Sequence, residues 1–216
     1  HLDNAKTQSA LPLFLRPAAQ FTTNAEEMGL FLQFLLRGGM NDGKQLVSRE
    51  LIESMGKVSG TDAALNGLHK GYSLGLVQRD WHNVVGLFHS GNVVGYRAMV
   101  YLFPRQQKAF FISVNMDREA ANYENLNKIF IENLELTKDK PVAIGKLPEN
   151  IDEWEGAYLP TKSTFKTFKY LDLLTGYQIV KSSDELLNLF PFQQDKKILY
   201  PIDNHLFRTQ KSTLPS

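Results

Sequence analysis

Few side chains in this chain have the type and spacing for chemistry. His69, His82, His89 and His205 could carry protons near neutral pH. They form no i,i+4 pair and have no cysteine beside them, because the chain contains none, so the spacings of a zinc site are missing and no metal or other cofactor is expected. Gly38-Gly39-Met40-Asn41-Asp42-Gly43-Lys44 approaches a phosphate-cradling loop. Gln45 stands where that loop needs a hydroxyl for magnesium, and a helix precedes it instead of a strand. The glycines therefore read as a helix stop and a turn. Glu26 and Glu27 are neighbours and point different ways on a helix, so they suit the favourable field of its N-terminus better than paired-carboxylate catalysis. Phe165-Lys166-Thr167-Phe168-Lys169-Tyr170 alternates aromatic and polar residues, which could stack nucleotides but reads as a strand with a polar outer face. His89-Ser90-Gly91-Asn92 remains, and taken alone it reads as a turn at a strand end.

The elements that position these residues follow from periodicity. Thr23-Asn24-Ala25-Glu26 has a capping-box pattern with Thr23 at the N-cap. Met28, Phe31, Leu32, Leu35 and Leu36 continue it at helical spacing, Leu30 and Phe34 widen the apolar face, and Gly38-Gly39 ends it. This helix is expected to be buried on more than one side. A second helix runs from Ser48 to about Gly56. Strands are expected over Tyr72–Arg79 and Asn83–Phe88, and a hairpin over Tyr96–Phe103 and Lys108–Asn115 turns through Pro104-Arg105-Gln106-Gln107. A helix follows over Glu119–Glu135 with the stripe Tyr123, Leu126, Phe130 and Leu134. Residues 137–150 read as a linker. Beyond it come short strands around Trp154–Tyr158, Phe165–Leu171, Tyr177–Lys181, Glu185–Phe190, Lys197–Tyr200 and His205–Thr209, a spacing that suggests a small antiparallel sheet or barrel.

The fold class is therefore α+β: an antiparallel sheet of three to four strands flanked by helices over 1–136, a linker over 137–150, and a β-rich module over 151–216. With 24 basic and 23 acidic residues the formal charge is +1, which gives no sign of a nucleic-acid partner. No apolar run reaches the roughly 18 residues of a membrane span.

Several segments, in order, resemble serine beta-lactamase-like proteins related to class C enzymes and penicillin-binding proteins. Arg16-Pro17-Ala18-Ala19-Gln20-Phe21-Thr22-Thr23-Asn24-Ala25-Glu26-Glu27-Met28, with Gly38-Gly39 after it, is similar to the family's Pro-Ala-Gly stretch, its Ser-Thr-Ala-x-Asp-Met segment and a helix ending in Gly-Gly. Gly71-Tyr72-Ser73-Leu74-Gly75-Leu76 looks like its Tyr-Gly-Leu-Gly-Trp strand. Gly86-Leu87-Phe88-His89-Ser90-Gly91-Asn92-Val93-Val94-Gly95-Tyr96 looks like its third box in the His-x-Gly form, followed by a strand start. Pro104 and Asn115 fall where the family has a turn proline and an asparagine closing the next strand.

The resemblance implies acyl transfer at an amide or ester carbonyl through an acyl-enzyme, on a small-molecule or peptide substrate such as a beta-lactam, a D-amino-acid peptide or an ester. It implies His89, Ser90 and Gly91 as catalytic-box residues, with His89 beside the reacting centre as a proton-transfer or electrostatic group. The Asn92 N–H would be one oxyanion donor, and Asn115 would line the pocket. The family's two earlier motifs are missing. Ser54-Met55-Gly56-Lys57 and Tyr123-Glu124-Asn125 have their spellings but fall in the wrong order. The expectation is a C-terminal fragment of a serine hydrolase, inactive by itself, whose parent carries the nucleophile upstream. A fragment of that kind exposes edge strands and apolar surface, which predicts a homodimer or edge pairing.

In the tail, Trp154-Glu155-Gly156-Ala157-Tyr158-Leu159-Pro160, Thr161–Lys169 and Leu199–Arg208 are similar to the start of the lipocalin-like domain appended to many of these hydrolases. This implies a bacterial periplasmic or envelope protein, with membrane anchoring beyond Ser216. The alternative is a non-catalytic module that holds a lipid, peptide or cell-wall fragment, with Phe165, Phe168, Tyr170 and Tyr177 lining a barrel mouth.

Overall fold

The computed structural model describes residues 21–93, 95–115, 121–158, 177–183, 186–191, 197–203, 205–210 and 212–214. They fall into two compact units. One holds the described residues up to Gly60 together with Lys70–Asp139. The other holds Thr61–His69, including the short helix α3 (Asp62–Leu65), and the described residues from Lys140 onward.

The first unit opens with α1 (Ala25–Leu36). Its N-cap is Asn24, one residue later than the sequence pattern placed it. The Asn24 carboxamide oxygen accepts the Glu27 N–H at 2.9 Å, and the Thr23 hydroxyl instead donates to Glu27 Oε2 at 2.8 Å. Asparagine caps at least as well as threonine, so the register that satisfies the N–H of the third helical residue, Glu27, wins. At the other end the Gly39 N–H reaches Phe34 O at 2.9 Å and the Gly38 N–H reaches Leu35 O at 3.0 Å, with Gly38 at φ 66° and Gly39 at φ 84°. This is a Schellman stop. The next two strands, β1 (Met40–Asn41) and β2 (Lys44–Gln45), form a hairpin through Asp42 and Gly43, both at positive φ. The loop that resembles a phosphate cradle is thus a helix stop and a primed turn. Helix α2 (Arg49–Ser54) follows, capped by the Ser48 hydroxyl on the Leu51 N–H.

A five-stranded antiparallel sheet carries this unit, in the order β3 (Gly71–Tyr72), β4 (Val77–Arg79), β5 (Gly86–Val93), β6 (Tyr96–Phe103), β7 (Lys108–Val114). The α+β class is as expected, with one more strand. The extra strand arises because Tyr72–Arg79 is not continuous. The Ser73 N–H meets Leu76 O at 2.8 Å with Gly75 at φ 78°, which folds the segment into a tight hairpin. The strand expected from Asn83 begins at Gly86, because His82 and Asn83 both take left-handed conformations that cannot join a ladder. β6 and β7 lie where the alternation placed them, and β7 ends one residue earlier, at Val114. Helix α4 (Glu124–Asn133) is shorter than the expected Glu119–Glu135, of which 119–120 lie outside the described residues.

Alternation divides the sheet into two faces. On one, Val84, Met99, Tyr101, Phe103, Phe110 and Ile112 pack with Ile131 of α4. Tyr123, Leu126 and Leu134 pack at its margin as the stripe predicts, but Asn127 and Ile131 are the buried centre of the helix, and Phe130 stays 41% exposed. On the other face, Leu102 packs with Leu32 and Leu35 of α1 and with Leu76. Burial of α1 is one-sided: Leu30 and Phe31 are exposed, contrary to the expectation drawn from its wide apolar face.

The second unit contains a five-stranded antiparallel meander, β8 (Gly156–Tyr158), β9 (Tyr177–Ser183), β10 (Leu186–Pro191), β11 (Lys197–Asp203) and β12 (Leu206–Thr209), ordered as in the chain. Residues Ile151–Trp154 form a 3-10 turn, so only the last part of the strand expected there exists. Its core is Ile151, Leu199 and Phe207, with Trp154 edge-on to Phe207. The strand expected over Phe165–Leu171 lies outside the described residues. Within 137–150 no helix or strand forms, yet the stretch is not a free linker. The Val142 N–H bonds Thr213 O at 3.1 Å, the Gly145 N–H bonds Pro201 O at 2.8 Å, and Arg208 Nε donates to Val142 O at 3.0 Å.

Candidate functional site

The His89-Ser90-Gly91-Asn92 box occupies the second half of β5. Along Gly86–Phe88, β5 has partners on both sides: β4 on one and, from Leu87 onward, β6 on the other. The β4 pairing ends at Val77–Phe88. From His89 to Val93 only the β6 side is paired among the described residues, with His89 opposite Val100, Gly91 opposite Ala98 and Asn92 opposite Arg97. Alternate residues here turn their backbone N–H and C=O groups to an open edge. His89, Ser90, Gly91 and Asn92 are all exposed, and a Cβ added at Gly91 would meet nothing within 4 Å. Among the described residues this edge has no strand beside it, and the α1 face above Gly91 is open.

The unbroken register also separates the four residues. Phe88 packs on the α4 face and Leu87 on the α1 face. By alternation His89 and Gly91 belong to the α1 face, and Ser90 and Asn92 to the α4 face. The side chains of His89 and Ser90 hence cannot serve one reacting centre on the same side of the sheet, whereas the backbone of the whole segment can. Among the described residues the side chains of His89, Ser90 and Asn92 make no hydrogen bond or ion pair. Asn115 follows β7, whose Val114 pairs with Arg97, the residue that also faces Asn92. It thus lies at the same end of the sheet, about two strand spacings (~10 Å) from the box.

The two out-of-order motifs have structural places. The Ser54 hydroxyl donates to Leu51 O at 2.6 Å inside α2. Tyr123 precedes α4, with the Arg97 guanidinium 4.4 Å from its ring centre. A polar cluster that motif reading did not anticipate lies under α4. Arg79 is buried, with its guanidinium 3.4 Å from the Phe88 ring centre and 4.7 Å from that of Tyr101. Glu124 accepts from Arg79 at 3.2 Å and from Asn127 at 2.9 Å, and lies 2.9 Å from His82 Nε2. Nearby, Lys70 pairs with the buried Asp80 at 2.9 Å. Among the described residues Arg79 Nε, Tyr101 OH and Asn127 Oδ1 are buried without a hydrogen bond of good geometry. Burial pushes the Tyr101 phenol well above its ordinary range, against the opposing pull of the Arg79 charge. Partners 45 residues apart leave no local signal; a charged residue ending a short apolar strand was the only hint.

On the α1 face, at the Gly86 end of β5, lies a cleft of about 460 Å³ between α1, α2 and the sheet. His89 is not among its lining residues.

No family model matches the chain, and no curated protein does. Among solved structures it is similar to SurE, at 14% identity and a TM-score of 0.43, over 87% of this chain and 40% of that one. A structure of SurE with D-Leu gives 14% identity, a TM-score of 0.36 and coverage of 82% and 40%. The octameric penicillin-binding protein homologue from Pyrococcus abyssi gives 16% identity, a TM-score of 0.34 and coverage of 85% and 39%. The chain spans about two fifths of the length of the structures it matches.

Proposed function

We propose that this chain supplies the substrate-aligning strand of a serine hydrolase acting on an amide or ester carbonyl, and that the nucleophile lies outside the described residues. The observation that supports the reading is the half-paired state of β5: among the described residues His89–Val93 pairs on one side only, and His89–Asn92 are exposed, with open space above Gly91. Such an edge takes an extended acyl or peptidyl group by strand addition, with main-chain hydrogen bonds setting its register. In this reading His89, on the α1 face, is the side chain that shuttles the proton or steadies the developing charge. Ser90, on the opposite face, takes no direct part. The Asn92 N–H is the oxyanion donor contributed by this segment.

The test is intact-mass analysis after fluorophosphonate treatment of the longest natural form of the protein and of this chain side by side. One equivalent of adduct on the long form alone is expected, with labelling slowed by roughly 10²-fold or more in His89→Ala and little changed in Ser90→Ala. An adduct on this chain would move the nucleophile inside it. Absence of adduct on either form would overturn the hydrolase reading.

A further inference from the structure

We infer that the cleft on the α1 face is a binding site for an amphipathic monoanion, an aliphatic chain ending in one carboxylate. Its wall is apolar. Leu35 of α1, Ile52 and Met55 from α2 and its end, and Leu76, Leu87 and Leu102 of the sheet side line it. At about 460 Å³ it falls within the range of small-molecule sites, which are mostly apolar with a few placed polar groups.

The polar groups are at its margin. Arg49, Glu53 and Lys57 succeed one another at four-residue steps along α2 and its extension, and all three line the cleft. None of the three makes an ion pair among the described residues. Arg105 also lines the cleft but is committed to Asp139 at 2.5 Å. Two uncommitted cations against one carboxylate leave a single positive charge, which matches one anionic head. Arg49 lies against Gly38: a Cβ added there would come 2.9 Å from its guanidinium carbon, so the glycine that stops α1 also makes room for this group. The guanidinium lies beside Gly38 at the C-terminal, negative end of α1, a favourable place for a cation. The chemistry is thus a greasy slot with one preset cationic mouth. It is independent of the β5 edge, because His89 does not line it.

Titration calorimetry of this full chain with dodecanoate tests the site, with dodecanol and dodecylammonium as matched probes. Dodecanoate is expected to bind one-to-one, with dodecylammonium several-fold weaker, since the net positive margin of the cleft attracts one sign of charge and repels the other. Arg49→Gln and Lys57→Gln are exposed changes that leave the core intact, and each should weaken dodecanoate several-fold. Glu53→Gln should tighten it two- to threefold, and His89→Ala should leave it unchanged. Circular dichroism of each variant confirms that the fold persists. Equal affinity for all three probes, undiminished binding in both Gln variants, or no dodecanoate binding would each overturn the inference. So would an acidic amphipathic helical peptide that binds the cleft where dodecanoate does not.

Discussion

The two faces of the first unit's sheet are built on opposite plans. The α4 face is closed: Tyr101 and Phe103 stack with centroids 5.4 Å apart, Phe110 and Phe88 tilt against Tyr101, and a buried arginine lies against this aromatic floor. The charge of that arginine is met by Glu124 from the helix above. The α1 side is more open: a cleft runs beneath α2, and Leu30 and Phe31 of α1 are 66% and 47% exposed. Both faces bury a core, Leu32, Leu35, Leu76 and Leu102 on the α1 side, but only the α1 side keeps a cleft beside it. The same strand, β5, serves both, since Phe88 belongs to the closed face and Leu87 to the open one.

The largest difference should appear in truncation. Phe103 is 1% exposed in the middle of the aromatic floor, so Phe103→Ala should cost about 4 kcal/mol, or fail to fold. Leu30→Ala, on the open face, should change stability by less than about 0.5 kcal/mol. Urea denaturation of both variants decides the matter. A Leu30 cost near that of Phe103 would mean that the open face is covered in solution, as a dimer of this chain would cover it, and a concentration-dependent midpoint would identify that cause.

How much of this was legible in the sequence differs between the faces for the same reason. The hairpin of β6 and β7 was readable because Val100, Leu102, Phe110 and Ile112 alternate in a pattern that local geometry alone determines. The breaks were not. Tyr72–Arg79 has strand-forming residues throughout, and only the hydrogen bond from Ser73 to Leu76, with Gly75 at positive φ, folds it into a hairpin. The α1 stripe specifies a helix, but a wide apolar face marks burial only where a partner covers it, and Leu30 and Phe31 stay exposed. The His89 box was visible as a motif, whereas its half-paired edge and the split of His89 from Ser90 depend on where β4 stops. The Arg79–Glu124 cluster is a long-range pairing with no sequence period.

The closed face can next be broken at its polar pin. Glu124 is the single carboxylate that Arg79, His82 and Asn127 share. Glu124→Ala removes the carboxylate that pairs with the buried Arg79, and because Glu124 itself is half-buried the cost should be about 1–3 kcal/mol, below that of breaking a fully buried pair. Glu124→Gln keeps an oxygen for Asn127 and should recover part of that loss. A double-mutant cycle with Arg79→Met measures the coupling. If the double variant is as unstable as the sum of the two singles, the pair contributes no specific interaction and the pin reduces to packing.

The smallest effect sharpens the comparison most. Among the described residues the Tyr101 hydroxyl is buried without a hydrogen bond of good geometry, although the Arg79 guanidinium lies near enough to act on it, so Tyr101→Phe removes a desolvated group and keeps the ring that stacks on Phe103 and tilts against Phe88. At neutral pH the change should be within about 1 kcal/mol, in either direction, since an unmade hydrogen bond contributes no stability to lose. The pH dependence carries the signal. Burial raises the folded-state pKa of this phenol, with Arg79 opposing. The unfolded chain releases the proton near its ordinary value of about 10, while the folded chain retains it. Above that pH the unfolded state binds fewer protons than the native one, so stability falls as pH rises. The contribution is fully present below about pH 10 and is lost progressively above it. Denaturation midpoints between pH 8 and 11 should therefore decline more steeply for the native sequence than for Tyr101→Phe. Identical slopes would mean that the hydroxyl is in contact with solvent, and the α4 face would then not be the closed one.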